Sequence, residues 1–188
     1  MRQTLALLSL LVAACGGSQP ASQTSTPPYG HGAHAHAAPS LGFEDAIKLA
    51  VAAHPSGTPV EVEWDTDKKL APHAVLEVEF LEQGKVDEVF LCPHRGVVLK
   101  QNSSPFDEKH AAEYAPLPPL LAAPGALTLE AAVAKAFAAY AKESVVEVEL
   151  LARDGRLAVE VEVKQGDVTT AHYHDAATWQ LLESKPKD

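Results

Sequence analysis

The chain has 188 residues, 25 acidic against 15 basic, and a formal net charge of −10. That balance argues against nucleic acid and anionic lipid surfaces as partners and favours cations or basic proteins. Cys15 and Cys92 are the two cysteines; if Cys15 carries lipid no intramolecular disulfide can form, and stability must come from hydrophobic cores.

Residues 1–15 (MRQTLALLSLLVAAC) combine Arg2, an apolar run from Leu5 to Ala14 and small residues before a cysteine, the pattern of a secretion signal. The run is shorter than the roughly 20 residues a membrane-spanning helix needs. Val12-Ala13-Ala14-Cys15 resembles a bacterial lipobox. The resemblance implies lipidation at Cys15 in a bacterial cell envelope, with Gly16 favouring the outer membrane; cleavage by an ordinary signal peptidase near Ala14 is the alternative.

Residues 16–40 are rich in Gly, Pro, Ser, Thr and Ala, and read as a disordered tether. Within it, His31, His34 and His36 could converge on Zn²⁺, Cu²⁺ or Ni²⁺, although histidines in a low-complexity linker need have no ligand.

Leu41–Trp64 and Leu127–Leu150 align without a gap at an offset of 86, with ten of 24 positions identical. Such self-similarity predicts two copies of one unit. Each copy opens with a helical apolar stripe: Phe43, Ala46, Ile47, Ala50 and Val51, then Leu129, Ala132, Val133, Ala136, Phe137 and Tyr140. Thr128 is the predicted N-cap of the second, with Gly42 at the same place in the first.

The period then changes to two. Val60–Trp64, Leu76–Phe80, Val146–Leu150 and Val159–Val163 alternate apolar residues with Glu. Third strands are expected near Val86–Leu91 and Val168–His174, after turns at Gly84 and Gly166. The Pro-rich stretch 101–126 is expected to link the copies, and its Leu117, Leu120 and Leu121 could dock on one of them.

The order helix, strand, Gly-turn, strand, then a D-A-x-T-G-like corner resembles the PepSY module of peptidase propeptides. Asp175-Ala176-Ala177-Thr178 followed by Trp179 carries the corner in the second copy, and Cys92-Pro93-His94-Arg95-Gly96 in the first. The resemblance implies an α+β fold of two tandem PepSY-like units, residues 41–100 and 127–188, each one helix on an antiparallel three-stranded meander. It also implies non-catalytic binding, commonly inhibition of a secreted metallopeptidase. At the level of architecture, the tandem resembles duplicated beta-lactamase inhibitor proteins.

Candidate binding residues follow from the alternation. Glu61, Glu63, Glu77 and Glu79, with Glu147, Glu149, Glu160 and Glu162, should share sheet faces, either as a platform for a basic protein or divalent metal or as a solvated outer surface. His172 and His174 are two apart in a strand, hence on one face, and could chelate; the choice between offsets of 82 and 83 decides which face the pair occupies. Cys92 beside His94 could bind metal or react, or be a half-buried thiol. The chain has no H-E-x-x-H, G-x-S-x-G, P-loop or G-x-G-x-x-G motif, so no enzyme and no obligatory cofactor are expected. The reading is a non-catalytic envelope lipoprotein that binds a protein partner, such as a secreted peptidase that it inhibits or holds near the membrane, with capture of divalent Zn²⁺, Cu²⁺ or Ni²⁺ through the tether histidines and acidic faces as the alternative.

Overall fold

The computed structural model describes residues 41–65, 74–106, 111–112 and 114–187. Cys15, His31, His34 and His36, with the signal and tether, lie outside the described residues.

In chain order the elements are α1 (Phe43–Ala53), β1 (Thr58–Asp65), β2 (Val75–Glu82), β3 (Lys85–Cys92), β4 (Val97–Pro105), α2 (Leu117–Leu121), α3 (Leu129–Ala139), β5 (Val145–Arg153), β6 (Arg156–Gln165), β7 (Val168–Asp175) and β8 (Leu181–Lys187). The eight strands form one antiparallel sheet in the order β4-β3-β2-β1-β5-β6-β7-β8. This corrects the expectation of two units, each with a three-stranded meander. Each half contributes four strands, and β1 pairs with β5 through Glu61↔Glu149, Val62↔Val148 and Glu63↔Glu147. The physical reason is that a meander's first strand has an unpaired edge, and here each such edge satisfies the other. Val62 and Val148 are themselves 86 residues apart, so equivalent positions meet at the centre of the sheet.

The missing fourth strands are the sheet's outer edges. β8 (LLESKPK) is exposed at every position, and β4 (VVLKQNSSP) alternates exposed with half-buried residues. Neither has the apolar alternation that marks a strand in sequence, and lysine and proline on such edges discourage pairing with other chains.

Both long helices pack on one face. α1 buries Phe43, Ala46, Ile47 and Ala50, and α3 buries Leu129, Ala132, Val133 and Ala136. They meet Val62, Val78, Leu91, Val148, Val159 and Val161 in one core. The small Ala50 and Ala136, both at 0% exposure, let the helices lie close on the sheet. Phe43 joins the halves, its ring 5.9 Å from Phe137 and 6.3 Å from Trp64. As expected, the Thr128 hydroxyl caps α3 by accepting from Ala131 N–H at 3.3 Å.

The opposite face carries a second, smaller cluster of Val60, Leu81, Val86, Tyr114 and Leu117. A register shift between Pro59 and Glu61 leaves Val60 as an extra residue, and this bulge lets Val60 join the cluster. The linker docks here through α2 and Tyr114; of the leucines expected to dock, Leu117 enters the cluster and Leu121 packs against it, while Leu120 does not join it.

The two corners also match. Gly96 and Trp179 stand 83 apart, and both have left-handed backbones, with φ of 59° and 61°. Glycine takes this conformation without cost; tryptophan is strained there. Asp175 stabilises the second corner by accepting from Ala177 N–H (3.1 Å), Thr178 N–H (2.8 Å) and the Thr178 hydroxyl (2.8 Å).

Candidate functional site: two rows of carboxylates

Because β1 and β5 are neighbours, the acidic residues of both halves share one surface. Strand register lines them up into two rows that cross the middle of the sheet. One runs Glu88, Glu79, Glu61, Glu149, Glu160 over β3, β2, β1, β5 and β6. The other runs Glu77, Glu63, Glu147, Glu162 over β2, β1, β5 and β6. All eight glutamates expected from the alternation are brought together, and Glu88, which its strand pattern did not mark, extends the first row. Phe90 beside Glu77 and Tyr173 beside Glu160 flank the rows with aromatic rings. Lys100 lies 5.6 Å from the Phe90 ring centre and Lys185 4.6 Å from that of Tyr173.

This surface is not a simple solvated face. Glu77, Glu149, Glu160 and Glu162 are only 6–7% exposed. Tyr114 lies beside the first row and donates its hydroxyl to Glu79 Oε2 at 2.8 Å. Burial, followed by the neighbouring carboxylates, raises the pKa of Glu63 to about 7, with Asp65 the leading neighbour. The same causes raise Glu77 and Glu147 to about 9, and raise Glu61 well above the usual carboxylate range.

One cation of the chain already sits among them. Lys187 donates to Glu160 Oε1 at 3.0 Å and pairs with Glu162. Burial opposes its charge, but hydrogen bonds to Glu162 and Glu160 prevail and its pKa lies above the ordinary lysine value. Carboxylate oxygens also converge without a lysine: those of Glu61, Glu63 and Glu147 lie within 4.8 Å of one another, as do those of Glu77, Glu79 and Glu88.

His172 and His174 lie on the helix side of the sheet. From β2 onward the halves correspond at an offset of 83, since Glu79↔Glu88 matches Glu162↔Ala171. His174 is 5% exposed, with Nε2 2.8 Å from the Tyr140 hydroxyl and Nδ1 3.2 Å from the Trp179 carbonyl. Its ring stacks on Trp179 at 4.6 Å, and His172 stacks on Tyr140 at 4.9 Å. Burial lowers the pKa of both imidazoles. His172 Nδ1 is 2.8 Å from Ser184 Oγ. Tyr140, at the end of α3, is thus the hub of a polar aromatic cluster, and the Cys92 thiol is buried at the end of β3.

Residues 126–183 match the family model of the peptidase propeptide and YPEB domain, PepSY. The matched segment contains α3, β5, β6, β7, the Asp175 corner and the start of β8. Three solved structures are similar in part. A "putative lipoprotein" from Clostridium difficile 630 is 12% identical, with a TM-score of 0.49, over 79% of this chain and 94% of that one. A DUF2874 family protein from Bacteroides uniformis ATCC 8492 is 16% identical, with a TM-score of 0.27, over 76% of this chain and 87% of that one. A BLIP-like protein from Bacteroides fragilis NCTC 9343 is 17% identical, with a TM-score of 0.27, over 77% of this chain and 86% of that one. Comparison with curated proteins gave no match.

Proposed function

We propose that the protein is a non-catalytic binding protein of the bacterial cell envelope, and that the two carboxylate rows are its contact surface for a basic protein partner. The observation that carries this reading is the uninterrupted line of Glu88, Glu79, Glu61, Glu149 and Glu160 across five strands. Like charges on neighbouring strands repel. Lysine or arginine side chains placed between them, as Lys187 is between Glu160 and Glu162, would relieve that repulsion and favour the ionised carboxylates. The PepSY match over residues 126–183 supports a secreted peptidase as the class of partner, held or inhibited near the membrane. Lipid on Cys15 would supply the anchor, in keeping with the lipobox-like Val12-Ala13-Ala14-Cys15.

The test is to crosslink the tagged full chain in its own envelope and identify what copurifies, with and without a chelator. A dominant basic protein, recovered with chelator present and lost with Glu63→Gln/Glu147→Gln, supports the reading. Equal recovery with that double variant refutes the carboxylate surface as the contact.

A second reading is favoured by the convergent oxygens of Glu61, Glu63 and Glu147: a hard divalent cation such as Ca²⁺ held by carboxylates alone. It predicts that Ca²⁺ raises the melting temperature and that the partner is lost on chelation. The tether histidines at 31, 34 and 36 would add a separate, softer metal site.

A further inference from the structure

On the helix side of the sheet, the face opposite the carboxylate rows, the end of α1 builds a different constellation. His54 caps α1, its backbone N–H donating to the Ala50 carbonyl at 2.8 Å. Its ring stands edge-on to Phe80, with centres 5.0 Å apart and planes at 73°. The turn after it closes over the ring so tightly that a Cβ on Gly57 would come within 2.6 Å of His54 Cδ2 and 2.8 Å of Phe80 Cβ. Only glycine permits that approach, so the imidazole is held in place by backbone and by an aromatic ring.

Held there, His54 Nε2 lies 3.3 Å from Glu82 Oε2 and 3.4 Å from Asp87 Oδ2. Neither approach is a hydrogen bond, and Nε2 is a buried atom without a hydrogen-bond partner. A single ring nitrogen is aimed between two carboxylates rather than at either. Asp87 is itself only 7% exposed.

We propose that His54, Glu82 and Asp87 form a Zn²⁺ site with three protein ligands and a fourth position open to solvent. Zinc bonds of about 2.0–2.1 Å in tetrahedral geometry separate neighbouring ligands by about 3.3–3.4 Å. The two nitrogen-to-oxygen separations have that value, and all three ligand atoms lie within 4.8 Å of one another. An imidazole with two carboxylates is a donor set that zinc accepts. The Ser56 hydroxyl donates to Glu82 Oε2 at 3.0 Å and orients that carboxylate, as an outer-shell group does at a metal centre. A surface cavity of about 320 Å³, lined by His54, Asp87, Gln101 and Ser103, provides the open position and an entry path. The site belongs to the first half only: the corresponding positions of the second half are Tyr140, Gln165 and Thr170, which do not form a zinc donor set. Bound metal would tie the end of α1 to the β2–β3 hairpin.

The test is calorimetric titration of the full chain in detergent with Zn²⁺, using a background in which His31, His34 and His36 are all alanine. That background should retain one site per chain, and Zn²⁺ should raise its melting temperature. Adding His54→Gln, or separately Asp87→Asn, should weaken the site by about 100-fold or more and abolish the thermal shift, since losing an outer-shell group alone costs 10–100-fold. Melting in chelator shows whether each variant folds, and Glu82→Gln serves in place of one that does not. A background protein with no stoichiometric site, or an affinity that His54→Gln and Asp87→Asn leave unchanged, overturns the proposal.

Discussion

Glu61 on β1 faces Glu149 on β5 directly across the seam where the two halves of the sheet join. The seam is therefore also the centre of the longer carboxylate row, and its charge state bears on the stability of the sheet. For Glu63, Glu77 and Glu147 the folded-state pKa is about 7, 9 and 9, above the ordinary 4.5. The folded protein thus binds more protons than the unfolded chain between these values, and stability falls as pH rises through that window. The full contribution is present below about pH 4.5 and is lost as pH climbs through 7 to 9. A melting temperature several degrees higher at pH 5.5 than at pH 9, in the absence of divalent metal, is the expected result; a flat or rising profile would count against raised carboxylate pKa values.

Glu77→Gln removes a titrating carboxyl from the second row while keeping its shape. Burial, followed by repulsion from Glu63, Glu79 and Glu88, keeps the Glu77 carboxyl protonated in the fold up to about pH 9, whereas the unfolded chain ionises it above 4.5, so the variant should be more stable at pH 8 by about 1 kcal/mol or more. The gain should vanish near pH 4, where the carboxyl is protonated in the unfolded chain as well. Denaturant melts at the two pH values measure the difference.

Lys187→Met should act in the opposite direction. It deprives Glu160 and Glu162, both under 10% exposed, of an ammonium partner. Because Lys187 is itself 42% exposed, the cost at pH 7 should be about 1–2 kcal/mol, less than for a fully buried pair. Urea midpoints would register it, and high salt should reduce the difference.

Ala50→Asp and Ala136→Asp place a carboxylate where each helix meets the sheet at 0% exposure. Each should cost several kcal/mol, of the order expected for an unpaired buried charge. Loss of the cooperative thermal transition in either variant is the expected readout, and equal loss in both would show that the halves unfold together.

Much of this architecture was legible in the sequence. Period 3.6 located both long helices, strict alternation located four strands, the turns at Gly84 and Gly166 located two more, and the repeated Val-Glu-Val-Glu runs marked the acidic surface. What could not be read was the edge: β4 and β8 are short of apolar residues because no second layer covers them. The joining of β1 to β5 was also hidden, since unpaired backbone groups leave no mark on residue type. His54 carries no mark of its own in the sequence for a related reason. Its chemistry depends on Glu82 and Asp87, 28 and 33 residues downstream, brought near only by the β2–β3 hairpin and by the space that Gly57 leaves. The face of His172 and His174 rested on a one-residue choice of register, and the left-handed backbones at Gly96 and Trp179 agree with the offset of 83.

The seam between β1 and β5 holds only three residue pairs in register, against seven between β1 and β2. Its two strands are near copies that run in opposite directions, so each is also a fitting partner for the other strand in a second molecule. Should the halves part, the edges they expose can be satisfied by reciprocal exchange, giving a dimer whose interface repeats the bonds of the monomer. High concentration would favour the exchanged dimer, and high pH, by charging the carboxylates that face each other across the seam, would open it in either form and speed the exchange.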